Sequence, residues 1–257
     1  MAGSVALAEW IASEMPPVKE ESGGRGGGVS AVFQRMFRIF QSVTALPGPD
    51  GYEAAAALAA LLFERYVDLE LLAGDASGKM PRLYREFAGI QKFRAAHRLV
   101  EFKESRGGES ALDAGEQIRF KDLTGGIEEI RKRVVETWGA DNRGKGSYPV
   151  HWSGRKCTRQ LCRDLGAGHE ELYLEAYCIL SWLLNVGFSM GGEPDAVLRE
   201  EIFHWCHGIS QLVMLEGARA LLDTFGEKER RPWLDRAIVF LRNNPGAALA
   251  AEEVDSQ

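Results

Sequence analysis

From Val32 onward, apolar residues recur at Val32, Phe33, Met36, Phe37, Phe40 and Val43. That three- and four-residue spacing predicts an amphipathic helix burying one stripe. Pro47, Gly48, Pro49 and Gly51 then break the period. Residues 52–73 are rich in Ala and Leu and carry their charges late, at Glu64, Arg65, Asp68 and Glu70, which predicts a central helix. After a turn marked by Gly74, Gly78 and Pro81, residues 83–103 keep a helical period through Phe87, Ile90, Phe93, Ala96 and Val100. Further helices are predicted over 118–138, 157–165, 170–190, 194–225 and 227–242, with Gly166 ending the second of these because glycine enters the left-handed region at little cost. No segment alternates with period two, and no phosphate-binding glycine loop or fixed repeat is present. The predicted fold is all-α: a single antiparallel helical bundle with a loop-rich basic excursion at residues 139–169.

The ends of the chain look different from this body. A short helix, Pro16-Pro17 and the glycine-rich run to Gly28 predict that residues 1–28 are an appendage with a flexible linker. Residues 29–244 form the bundle domain, and 245–257 a frayed tail. The first fifteen residues have no basic stretch before their apolar ones and contain Glu9 and Glu14, so they do not resemble a secretory signal. Residues 176–192 lack formal charge but are shorter than the roughly 20 apolar residues of a membrane span. A core helix buried on most sides, and no membrane association, is the expectation.

Composition narrows the classes. The 257 residues are 45% hydrophobic and 26% charged, a globular balance. Thirty-one Lys and Arg against thirty-seven Asp and Glu give a net charge of -6, so any surface for nucleic acid has to be local. Cys157, Cys162, Cys178 and Cys206 contain no CxxC pair, which argues against a disulfide scaffold or structural zinc and fits a reducing, cytoplasmic setting. No cofactor and no metal is expected.

The candidate nucleic-acid surface is the excursion, where Arg143, Lys145, Arg155, Lys156, Arg159 and Arg163 meet only Asp141 and Asp164. Tyr148, His151 and Trp152 lie among these cations, and guanidinium groups with aromatic faces suit phosphate contact and base stacking. The alternative is a solvated basic loop whose Trp152 plugs the core. Arg199 and His204 have the Arg-x4-His spacing of metal-independent helical ribonucleases, with His204 as acid/base and Arg199 stabilising a charged phosphorane. Positions five apart point about 140° from each other on a regular helix, so such a site needs a helix end or a second subunit. Otherwise Arg199 is a solvent group and His204 a satisfied histidine. Glu201, His204 and His207 share helical spacing with metal ligands, but a di-iron bundle needs a second Glu-x-x-His and none exists. Glu64 and Asp68 are a carboxylate pair or a salt-bridged face.

Four stretches carry a family resemblance: Leu62-Phe-Glu-Arg-Tyr-Val-Asp-Leu-Glu-Leu-Leu72; Tyr84-Arg-Glu-Phe-Ala-Gly-Ile-Gln-Lys-Phe93; His151-Trp-Ser-Gly-Arg-Lys156 leading to Leu161-Cys-Arg-Asp-Leu-Gly166; and Tyr173, Tyr177 and Ser181 at four-residue spacing. Over roughly residues 50–225 the chain resembles a family of uncharacterised bacterial all-helical proteins, a domain of unknown function similar in architecture to HEPN-type domains. The resemblance implies a homodimer acting on RNA in a toxin or phage-defence setting; the alternative is a non-catalytic module that binds a partner protein or nucleic acid through Trp152 and the basic excursion. Glu64, His151, Tyr177, Ser181 and Asn185, from these stretches, and His207, from its spacing to Glu201 and His204, are pocket candidates. The family pattern has an Arg four residues before the helix Glu and a His four after the helix Ser. Here those positions hold Ala60 and Asn185, and Asn185 can still hydrogen-bond.

Overall fold

The computed structural model describes residues 2–15, 25–107, 115, 132, 135–138, 151–154, 157–187, 194–227, 231–244, 247 and 249. Among them are nine α-helices and no strand, as the helical periods predict: α1 (Ala2–Glu14), α2 (Arg25–Thr44), α3 (Tyr52–Ala73), α4 (Met80–Gly107), α5 (Thr158–Leu165), α6 (Ala167–Leu172), α7 (Cys178–Trp182), α8 (Ala196–Phe225) and α9 (Arg231–Asn243). The fold is all-α. The predicted helix over 118–138 lies largely outside the described residues; Lys132 and residues 135–138 are helical. No described helix is long and apolar enough to cross a membrane.

The chain divides into two compact units, one of Met1–Gly78 with Thr158–Gln257, the other Lys79–Cys157. In the first, α3 packs on both α8 and α2, and α2 on α8. Helices α1 and α9 flank α8, while α5 and α7 flank α3. Gly217 of α8 lets α2 come close, since a Cβ there would lie 2.7 Å from Cε of Met36. Helix α8 starts where the Asp195 carboxylate accepts the backbone N–H of Leu198 at 2.8 Å, a standard N-cap. Between α5 and α6 the chain turns at Gly166, whose φ of 127° a side chain would rarely adopt.

The described residues near both ends pack on this unit, while residues 16–24 and most of 245–257 lie outside the described residues. Leu7 and Ile11 of α1 are buried, Trp10 packs on Trp233 of α9 at 4.5 Å, and Ser4 is sealed against α8. Gly26, Gly27 and Gly28 lie inside α2, and the ring of Phe225 packs beside Gly26. Glycine's poor helix propensity costs about 1 kcal/mol per residue, which the burial of Val29, Val32 and Phe33 in the same helix offsets. At the other end Leu249 is buried and its N–H donates to Oε1 of Gln211 at 2.8 Å.

Helix α8 explains why its apolar pattern carries few breaks. From Cys206 to Ala218 every residue is buried, so the helix runs through the core and its polar groups need internal partners. Gln211 donates to Oγ of Ser4 at 3.0 Å, and Ser210 to the Cys206 carbonyl at 2.7 Å. Glu216 is fully buried and is held by two guanidinium groups, Arg219 one turn on and Arg242 of α9. Only the carboxylate is buried, and the two guanidinium groups are 31% and 37% exposed, so removing Glu216 strands no buried charge and costs about 1.5–3 kcal/mol in lost charge-assisted hydrogen bonds. Glu216→Ala is therefore expected to lower the free energy of urea unfolding by about that much, and Arg219→Ala by clearly less, since Arg242 still pairs the carboxylate. Equal, sub-kilocalorie losses would show that the ion pairs are incidental.

Candidate functional site

Helix α6 runs on without a break through a π-helical turn (Tyr173–Tyr177), α7 and a second π-helical turn (Leu183–Gly187). Leu172, Ala176, Leu180 and Leu183 form its buried stripe. The opposite side exposes Leu174, Ile179 and Trp182, the last 59% exposed. In the described part, then, the uncharged stretch is half-buried rather than buried on most sides.

The first π-helical turn aims Tyr177 at α3. Its hydroxyl donates to Oε1 of Glu64 at 2.7 Å, and its ring stacks on Phe63 and Tyr173 at 5.1 and 5.5 Å. Burial, then the Glu64 carboxylate, pushes its phenol pKa well up, so it stays a hydrogen-bond donor. Two pocket candidates more than a hundred residues apart thus meet. Ser181 and Asn185 pair with each other: Asn185 donates to the Ser181 carbonyl at 2.7 Å and Oγ at 3.3 Å on an exposed turn. Asp68 is buried and ion-paired to Arg65 at 2.6 Å, which makes the Glu64/Asp68 face a salt-bridged one.

The Arg199 and His204 side chains both project from the uninterrupted α8, about 140° apart. Arg199 pairs with Asp50 at 3.2 Å, and His204 is exposed. His207, one turn on, lies inside, with Nδ1 3.1 Å from Oγ of Ser4 and its ring against Phe203.

Of the basic excursion, Arg143, Lys145, Arg155 and Lys156 lie outside the described residues. Trp152 is 2% exposed, edge-on to Tyr84 at 5.4 Å, and its carbonyl accepts from Nε1 of Trp138 at 2.6 Å. A ring so covered cannot stack on a base, which corrects its place in the expected nucleic-acid surface. His151 turns inward on its own loop, Nδ1 2.8 Å from Oγ of Ser153. Arg159 and Arg163 are exposed on α5, which buries Leu161 and Cys162, and Arg159 lies 3.6 Å from Glu170. Trp152 and these two arginines belong to different compact units.

Sequence reasoning missed the polar cluster around Glu216. Tyr66 of α3 is buried, its hydroxyl has no hydrogen-bond partner among the described residues, and its pKa is raised first by burial and then by the carboxylates of Glu70 and Glu216. The His169 ring stacks on it at 5.8 Å and 15°, with Nε2 3.9 Å from Oε2 of Glu70. The available signal was a lone acid, Glu216, in the apolar run of α8 with Arg219 at i+3. Beside this cluster α6, α8 and α9 enclose a partly open cleft of about 230 Å³, where Arg242, Glu171, Glu175 and Asn243 stand over an apolar lining including Ile209 and Leu212. Among the described residues no three His, Cys, Asp or Glu side chains converge as metal ligands would. No family model, curated protein or solved structure matches the chain.

Two outcomes follow from this geometry. Tyr177→Phe is expected to cost about 1 kcal/mol in unfolding free energy, the worth of one part-buried hydrogen bond; an unchanged midpoint would remove Glu64 as its partner. Burial lowers the His207 pKa to about 4. The unfolded chain, with an ordinary histidine near 6.5, takes up the proton first as pH falls, so this contribution is full above that value and lost on the way down to about 4. Between pH 7 and pH 4 the chain should lose roughly 3 kcal/mol more stability than His207→Gln. Parallel pH profiles for the two would contradict that assignment.

Proposed function

We propose that this chain is a helical module that binds RNA through the cationic side of α5 and does not cleave it. The carrying observation is that Arg199 and His204 diverge on one regular helix, with Arg199 tied to Asp50, so within one copy of the chain this pair does not set a proton-transfer group beside a phosphate-holding one. Arg163 and Arg159, the latter 3.6 Å from Glu170, are exposed on α5. The toxin or phage-defence setting and the homodimer implied by the HEPN-like resemblance belong to the same proposal, as does a cytoplasmic location. With Trp152 buried, contacts are to phosphate rather than by stacking, which makes binding salt-dependent and weak in sequence preference.

A second reading, the metal-independent ribonuclease, rests on the exposure of His204 and requires a two-fold partner to bring an Arg199 alongside. A third reading is the capture of a partner protein, for which the exposed Trp182 is the supporting observation, since tryptophan is prominent at binding hot spots. Titrating fluorescent single-stranded RNA at several salt concentrations, with the same samples run on a denaturing gel, separates the three. The expected result is intact RNA and a binding slope against log salt that falls by about 1 for each of Arg159→Ala and Arg163→Ala. RNA cut by the parent chain but not by His204→Ala would establish the ribonuclease instead. No binding at low salt would overturn both RNA readings and leave the protein-partner one.

A further inference from the structure

The cleft between α6, α8 and α9 has a charge layout that its role in packing does not explain. Its floor is apolar, from Ile209 and Leu212 of α8 with Leu172 and Leu241 at the sides. Helix α9 supplies Arg242, and the α6 side supplies Glu171 and Glu175, both exposed and one helical turn apart. Arg242 is not a spent cation. Among the described residues the single carboxylate of Glu216 faces two guanidinium groups, Arg219 and Arg242, and the Arg242 side chain is 37% exposed.

The guanidinium is also held in place. Glu216 is fully buried and accepts from Nη2 of Arg242, which fixes the far end of a side chain that would otherwise sample many rotamers. At the opposite wall the chain has glycine: a Cβ on Gly168 would stand 3.3 Å from Nη1 of Arg242. Glycine here leaves space beside the cation that any side chain would take up. The same wall contains the π-helical turn Tyr173–Tyr177, an arrangement found preferentially where a helix serves a site, and it sets Glu175 and Ala176 at the cleft.

We propose that this cleft binds a small zwitterion, an α-amino acid with an aliphatic side chain. The ligand carboxylate pairs with Arg242, its ammonium lies toward Glu171 and Glu175, and its side chain covers Ile209 and Leu212. A volume of about 230 Å³ suits a molecule of this size and is below that of sites for larger ligands. An anion alone would meet the two glutamates without compensation, and a cation alone would meet Arg242. The site is separate from the α5 surface and does not depend on RNA binding.

Isothermal titration of the full chain with L-leucine, isopentylamine and 4-methylpentanoate tests this, because the two analogues each lack one charge of the amino acid. L-leucine is expected to bind with a Kd of about 1 mM or tighter, at least tenfold better than either analogue. Glu175→Gln, an exposed change, should weaken L-leucine and isopentylamine severalfold and leave 4-methylpentanoate no weaker, since it removes a charge that repels the anion. Gly168→Val, checked for native circular dichroism, should abolish all binding; should that variant not fold, Glu171→Gln takes its place with the expectation given for Glu175→Gln. Either analogue binding as well as L-leucine, binding insensitive to these variants, or no binding of any of the three at millimolar concentration would overturn the proposal.

Discussion

A single carboxylate without access to water, that of Glu216, sets the terms for the larger compact unit. Placing a charge in the middle of an apolar helix costs several kcal/mol in lost hydration, and only close opposite charges with good hydrogen-bond geometry recover it. Arg219 comes from the same helix at i+3, but Arg242 has to be brought by α9. The pairing therefore works as a positional constraint: α9 docks on α8 in the register that places Arg242 at Glu216. Tyr66 and, through it, His169 and Glu70 pack around the same point, so α3, α6, α8 and α9 all converge on it.

The consequence for function is that the parts of the chain able to meet a ligand are set by what this centre leaves outside. Arg242 is held at one end by Glu216 and open at the other to the cleft. The helix carrying Glu171 and Glu175 accommodates two π-helical turns, the first of which aims Tyr177 onto Glu64, while Leu174, Ile179 and Trp182 stay outward. The Arg199 and His204 side chains, by contrast, leave one regular helix in different directions, with the arginine engaged by Asp50.

What was legible in the sequence follows from which forces are local. The span of α3 could be read to the residue from its Ala and Leu content and its flanking Gly and Pro, and α8 to within two residues, because periodicity and helix-end signals act over a few positions. The helical state of Gly26, Gly27 and Gly28 could not, since it depends on Val29, Val32 and Phe33 finding a core that propensity does not see. Burial of α1 is equally a long-range matter, decided by Ser4 meeting His207 and Gln211 some two hundred residues away. For the site, Tyr177 and Glu64 were both singled out, but only folding joins them. Trp152 misled, because a tryptophan among cations reads alike whether its ring faces solvent or Tyr84. Glu216 and Arg242 escaped notice because a buried ion pair between separate helices leaves no spacing in the sequence.

A double-mutant cycle between Glu216 and Arg242, measured by urea unfolding of the parent, Glu216→Gln, Arg242→Met and the double variant, tests most directly whether the fold is organised by that contact. The predicted result is a coupling of about 2 kcal/mol, with the double variant no less stable than the worse of the two single ones. Losses that add to within about 0.5 kcal/mol would contradict it, and would mean that α9 is held against α8 by its apolar face alone.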